Sequence, residues 1–134
     1  NHDSELRTER HINKKITNTV NQIKNGENIK LELGNIDVKK EFNFAGDIIE
    51  AVWLLVNQDN VFEAVIGSGQ AYSIREFVEY CFNQIGKDYK EYFVTKEGFT
   101  PEYDILVSNP ALIKSLGYEP KVDFHSLADI MLNK

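Results

Sequence analysis

A chain of 134 residues, 42 % hydrophobic and 27 % charged, is long enough for one domain with a buried core. Its net charge of -6 argues against a nucleic-acid partner, which would need a basic face. One cysteine excludes an internal disulfide and fits a reducing, cytoplasmic setting, and the longest apolar run, AVWLLV, is too short to span a bilayer, so no membrane partner is expected.

Residues 9–24 carry Ile12, Ile16, Val20 and Ile23 at helical spacing, which predicts an amphipathic helix ending at Asn25-Gly26. IKLEL alternates apolar and polar as a half-buried strand does, and Gly34-Asn35 closes it. After an extended piece over 38–42, a second helix is predicted over 45–57. Ile48, Ile49, Val52, Trp53, Leu55 and Val56 make it apolar on most sides, which reads as deep burial. VFEAVIG predicts a short buried strand ending in a Gly67-Ser68-Gly69 turn.

Ser73-Ile-Arg-Glu76 is a capping box, with Tyr72 and Phe77 placed as a hydrophobic staple. The helix it opens carries Cys81 within EFVEYCF, where a core role is expected, and stops at Gly86. YKEYFV reads as extended and GFTPEYD as a loop. Asn109-Pro110 opens a short helix ending at Gly117, and Asp123 caps a last helix carrying Leu127, Ile130 and Met131. Helices and short strands intermix, so the fold class is α/β with mixed α+β character.

The search for chemistry is mostly negative. His2, His11 and His125 are scattered, and no Cys/His pair has ligand spacing, so no metal site is expected. No Gly-x-Ser-x-Gly elbow supports a serine hydrolase. Ile66-Gly-Ser-Gly69 lacks both glycine-rich phosphate-loop patterns, and a simple turn explains it better. Tyr92-x-x-x-Lys96 matches the pair used by short-chain dehydrogenases. That chemistry needs both side chains on one helix face, whereas YKEYFVTKEG alternates, so a chance match is expected. A set of cations and amides remains: Asn1, Ser4 and Arg7 before the first helix, Lys14 and Lys15 on it, and Lys39-Lys40 further on. Such groups suit a phosphorylated or hydroxyl-rich ligand, although on composition alone a solvated surface is the better account.

The order of four stretches carries more: NHDSELRTERHINKKI, LELGNIDVKKEFNFAGDIIEAVWLL, EAVIGSGQAYSIREFVEYCFNQIG, and PEYDILVSNPALIKSLGYEPKVDFHSLADIML. Over nearly the whole chain this resembles the C-terminal half of GDP-mannose 4,6-dehydratases, extended short-chain dehydrogenase/reductases acting on nucleotide sugars. The resemblance implies a small substrate-binding domain lacking most of the Rossmann domain. Residues 1–134 would be the nucleotide-sugar-binding part of a longer enzyme, cut near the domain junction. In that family the cofactor-binding glycines, the catalytic Thr and Glu and the Tyr-x-x-x-Lys pair lie upstream, so no catalytic or cofactor-binding residue is assigned here. NADP or NAD would serve the intact enzyme and would not be bound by this piece alone.

Carried over by position, the resemblance puts Asn1 on the ligand's pyrophosphate or sugar, and Lys15 near the nucleotide. Leu33 and Gly34 would border the base, Lys40 would stand where the family's arginine grips the diphosphate, and Glu102 would lie near the ribose or base. Asn1, Arg7 and Lys15 would form one lip of the cleft. Two departures bear on the substrate. Lys40 keeps the charge but not the planar fork of arginine, and Phe99-Thr100-Pro101 replaces an Arg-Pro that supplies a second phosphate contact. The implied partners are a nucleotide sugar, with GDP-mannose favoured, the chain's own N-terminal cofactor domain, and further copies in a homo-oligomer. A related epimerase or reductase, or a non-catalytic sugar-nucleotide module, is the alternative. The helix over 45–57 and the strand over 62–66 carry more apolar surface than so small a domain covers, which predicts an exposed patch facing the cofactor domain.

Overall fold

The computed structural model describes residues 1–98 and 100–133. In chain order its elements are α1 (Ile12–Lys24), β1 (Leu31–Leu33), β2 (Lys39–Glu41), α2 (Ala45–Val56), β3 (Ala71–Ser73), α3 (Ile74–Asn83), β4 (Phe93–Thr95), β5 (Ile105–Leu106), α4 (Ala111–Ser115) and α5 (Phe124–Met131). A 3-10 turn, Tyr89–Glu91, precedes β4 and takes up the first half of the stretch expected to be extended. The mixed helix-and-strand architecture agrees with the α/β expectation.

The stripe of α1 is buried as its spacing demands, with Ile16, Val20 and Ile23 inside. The helix starts with the first residue of that period, Ile12, rather than at residue 9 as expected, because residues 8–11 close a turn in which His11 N–H meets the Thr8 carbonyl at 3.1 Å. β1 runs parallel to β4, Leu31 opposite Phe93. Leu31 and Leu33 face the core and Glu32 faces out, the period-two pattern of a half-buried strand. A second sheet has the order β3-β2-β5, with β2 antiparallel to β3 (Lys40 opposite Tyr72) and parallel to β5 (Lys40 opposite Leu106).

α1, α3 and α5 pack over one core in which Phe42 stacks on Phe77 and meets Phe124 edge-on, both at 5.1 Å between ring centres. Tyr72 stacks on Phe124 at 4.2 Å, and Phe77 meets the same ring edge-on at 5.8 Å. The capping box of α3 is complete: Glu76 N–H donates to Ser73 Oγ at 3.1 Å, and Ser73 N–H donates to Glu76 Oε2 at 2.6 Å. Asp123 caps α5 by accepting from Ser126 N–H at 2.7 Å, and Cys81 is buried in the core.

Two expectations fail for one reason. α2 is not deeply buried: within it only Asp47 and Ala51 are buried, while Trp53 is 71 % and Val56 65 % exposed. The segment over 61–66 forms no strand, and Phe62 is 86 % exposed. Ala64 and Ile66 lean on a small cluster of Ala51, Ile113 and Tyr118, while Phe62 and Val65 are exposed. A strand needs a second strand to take up its N–H and C=O groups, and a helix apolar all round needs cover on every side. The described residues supply neither.

Candidate functional site

The two sheets hold a cavity between them, and the loops at their ends build its walls. After β1 the chain turns at Gly34, where Asn35 Oδ1 accepts from Asp37 N–H at 2.8 Å. Arg75 then clips this loop to α3. Its Nε and Nη2 donate to the two Asp37 carboxylate oxygens at 2.8 and 3.0 Å, its Nη1 donates to Tyr89 Oη at 2.6 Å, and its backbone N–H reaches the Ile36 carbonyl at 2.7 Å. The hydrogen bond from Arg75 comes first among the causes that hold the Asp37 carboxyl below its ordinary pKa.

The cavity, about 500 Å³, is lined by Lys15, Leu33, Gly34, Lys40 and Glu102 of the residues singled out from the sequence. Arg10, Glu32, Lys96 and Tyr103 join them. A smaller chamber of about 70 Å³ adjoins it through Lys40 and is lined by Asn1, Arg7, Asp3, His11 and Asn13. The seven positions, scattered from residue 1 to residue 102, thus converge on two chambers that share Lys40. Lys14 and Lys39 of the cation set do not take part; Lys14 Nζ donates instead to the Glu5 carbonyl at 2.9 Å. Phe99 of the Phe99-Thr100-Pro101 departure lies outside the described residues, while Thr100 and Pro101 sit on the larger cavity's wall.

Charge distribution sets the chemistry. Four cations and two carboxylates line the larger cavity of a chain whose net charge is -6. Lys40 projects from β2 with its Nζ 4.9 Å from the centre of the Phe42 ring. Burial lowers the Lys40 pKa, Asp3 opposes that shift, and the Arg7 charge adds to it. Lys15 Nζ donates to the Glu32 carbonyl at 2.6 Å. In the smaller chamber Asp3 accepts from Asn13 Nδ2 at 2.7 Å and pairs with Arg7 Nε at 3.3 Å. Asn13 Oδ1 is buried with no hydrogen-bond partner among the described residues. Half-buried cations beside an unsatisfied amide oxygen suit a ligand that is anionic at one part and hydroxylated at another.

β2 is held in place from its other face. Glu41 is buried, and its Oε1 accepts from Ser108 N–H and Oγ, both at 2.7 Å, and from Gly69 N–H at 3.0 Å. Its Oε2 accepts from Asn43 Nδ2 at 3.0 Å. Burial raises the Glu41 pKa, and the donors from Ser108, Asn43 and Gly69 outweigh it, so the carboxyl ends below its ordinary value. A Cβ on Gly67 would collide with the Glu41 carboxylate and with Ser108 Oγ. The Gly67-Ser68-Gly69 turn is therefore a carboxylate cradle, which a pyrophosphate could not share. This lock was not visible in sequence, because its four partners come from three separate stretches.

The family model described as GDP-mannose 4,6 dehydratase matches residues 1–131. The chain belongs to the GDP-mannose 4,6-dehydratase family. GDP-mannose 4,6 dehydratase 1 of Arabidopsis thaliana is 34 % identical across all of this chain, which spans 38 % of that protein. The GDP-mannose 4,6 dehydratase of Dictyostelium discoideum is 32 % identical, again across the whole chain and 43 % of its own length. The chain thus spans less than half of the family members it matches. Among solved structures, RMD from Pseudomonas aeruginosa complexed with NADPH superposes with a TM-score of 0.90 at 20 % identity, over 99 % of this chain and 45 % of that one. The dTDP-glucose 4,6-dehydratase from Bacillus anthracis in complex with NAD gives 0.82 at 18 % identity, over 99 % and 41 %. These likenesses show the fold, that of one part of an extended short-chain dehydrogenase/reductase.

Proposed function

We propose that residues 1–134 form the nucleotide-sugar-binding part of an NAD(P)-dependent nucleotide-sugar 4,6-dehydratase, with GDP-mannose the favoured substrate. The observation that carries this reading is the convergence of Arg10, Lys15, Lys40 and Lys96 on one cavity of an acidic chain, beside Gly34, whose missing side chain lets a flat ring approach the backbone. Lys40 and Arg7 meet the diphosphate, Glu102 accepts from a ribose hydroxyl or base edge, and Asn1 binds the sugar end. The role of this part is to bind and orient.

The Gly67-Ser68-Gly69 turn is not offered as a dinucleotide cradle, since the Glu41 carboxylate fills it. The cofactor, which in such enzymes moves hydride, is assigned to a separate N-terminal domain. The exposed faces of α2 and of 61–66 support that assignment, since they need apolar cover and a strand neighbour. A cytoplasmic setting fits the single buried thiol, Cys81. A different nucleotide sugar is the second reading. It is favoured by Lys40, which offers a point charge rather than a fork and so selects the diphosphate less strictly.

Amide chemical-shift mapping with GDP-mannose tests the proposal. Shifts are expected at Gly34, Lys40 and Glu102, with Gln70 and Tyr118 unmoved. Shifts centred on Gln70 and Tyr118, or none at saturating ligand, would overturn it.

A further inference from the structure

A diphosphate presents two phosphoryl groups, and of the cations lining the larger cavity the reading above brings only Lys40 to them, with Arg7 approaching from the smaller chamber. The others lining that cavity are Lys15, Arg10 and Lys96. Lys15 Nζ is engaged by the Glu32 carbonyl at 2.6 Å. Lys96 differs from both. Its backbone N–H donates to the Leu33 carbonyl at 2.7 Å, which extends the β1–β4 ladder by one step and fixes its Cα beside the Gly34 turn. Its side chain has no hydrogen bond or ion pair among the described residues, although Glu32 and Glu102 line the same cavity. Arg10 sits in the exposed turn before α1, outside any ladder.

The two sheets give the arrangement its sense. Lys40 stands on β2, in the β3-β2-β5 sheet, and Lys96 follows β4, in the β1–β4 sheet. They are thus cations from two different sheets that line one cavity, one half-buried and one exposed. The same lysine is half of the Tyr92-x-x-x-Lys96 pattern. The structure separates that pair: Tyr92 packs on Phe82 under the Lys30 ammonium, 5.6 Å from its ring centre, and no helix carries the two residues.

We propose that Lys96 is a further phosphate contact of this site, beyond Lys40 and Arg7, holding the phosphoryl group farther from Lys40 and so selecting diphosphates over monophosphates. The inference rests on reading the cavity as a diphosphate site. It predicts that an exposed lysine on an anchored backbone gives a charge-assisted contact without the cost of ordering a loop.

Calorimetric titrations of the 134-residue chain with inorganic phosphate, inorganic pyrophosphate, GMP and GDP test it. In Lys96→Ala, pyrophosphate and GDP should bind about tenfold more weakly while phosphate and GMP are unchanged. Lys96→Arg should restore the difference. Equal losses for monophosphates and diphosphates, no loss at all, or a diphosphate-selective loss in Arg10→Ala instead would overturn the assignment. If pyrophosphate binding depends on Lys96 but GDP binds no more tightly than pyrophosphate, the nucleotide reading fails and Lys96 keeps its role. An unmodified chain that binds neither pyrophosphate nor GDP overturns both.

Discussion

Lys40 carries a charge where burial disfavours it. Burial lowers its pKa, with Arg7 adding to the effect and Asp3 opposing it. The unfolded chain keeps that proton up to the ordinary lysine value, 10.5. The penalty of the buried charge is therefore fully present below the lowered folded value, and it is relieved as pH rises through that value. A bound anion relieves it too. Diphosphate affinity should consequently fall as pH climbs through the folded Lys40 pKa, below the range of an ordinary lysine. Lys40→Met should abolish binding yet raise the melting temperature at neutral pH; a variant that loses stability would show that Lys40 is a structural cation. Glu41 behaves in the opposite way. Its depressed pKa supplies stability that is present above the unfolded value, 4.5, and is lost as pH falls through the folded one. Glu41→Gln turns an acceptor into a donor facing Ser108 or Asn43 and should cost about 1–3 kcal/mol in urea denaturation. A neutral result would mean that the loops hold β2 without the carboxylate.

At the scale of elements, what could be read from sequence was whatever depends on neighbours a few residues apart. Ser73 and Glu76 cap α3 as their spacing says, and Asp123 caps α5. Ser73→Ala should lower stability by about 1 kcal/mol, and thermal melts would show it; no change would mean that core packing alone sets the start of α3. The cavity could not be read this way. Arg10 and Lys96 carry no local signal for it; the pairing of β1 with β4 brings Lys96 beside Gly34, and the pairing of β2 with β5 brings Lys40 beside the chain that follows Glu102. Resemblance singled out Asn1, Arg7, Lys15 and Lys40 where composition would have left a solvated surface. The burial of α2 and the pairing of 61–66 were misjudged because apolar pattern states a need for cover without saying which residues supply it.

For the molecule as a whole, that uncovered need is the dominant surface feature. Ile49, Trp53 and Val56 on α2, with Phe62 and Val65 on the segment over 61–66, expose apolar side chains on one stretch of chain. Such a surface binds hydrophobic dyes and drives association. Trp53→Lys with Val56→Lys should reduce dye fluorescence and self-association while leaving the melting temperature nearly unchanged, because neither side chain is buried. A monodisperse unmodified chain that binds no dye would remove this support for an adjoining cofactor domain. No described helix is long and apolar enough to cross a membrane.

A guanine nucleotide sugar is the ligand proposed for the cavity around Lys40. Calorimetric titration of the 134-residue chain against GDP-, UDP-, CDP- and dTDP-linked sugars tests it most directly. GDP-mannose should bind most tightly, and Lys40→Ala should remove most of that affinity. Tighter binding of any non-guanine sugar nucleotide, or an affinity indifferent to Lys40, would contradict the account.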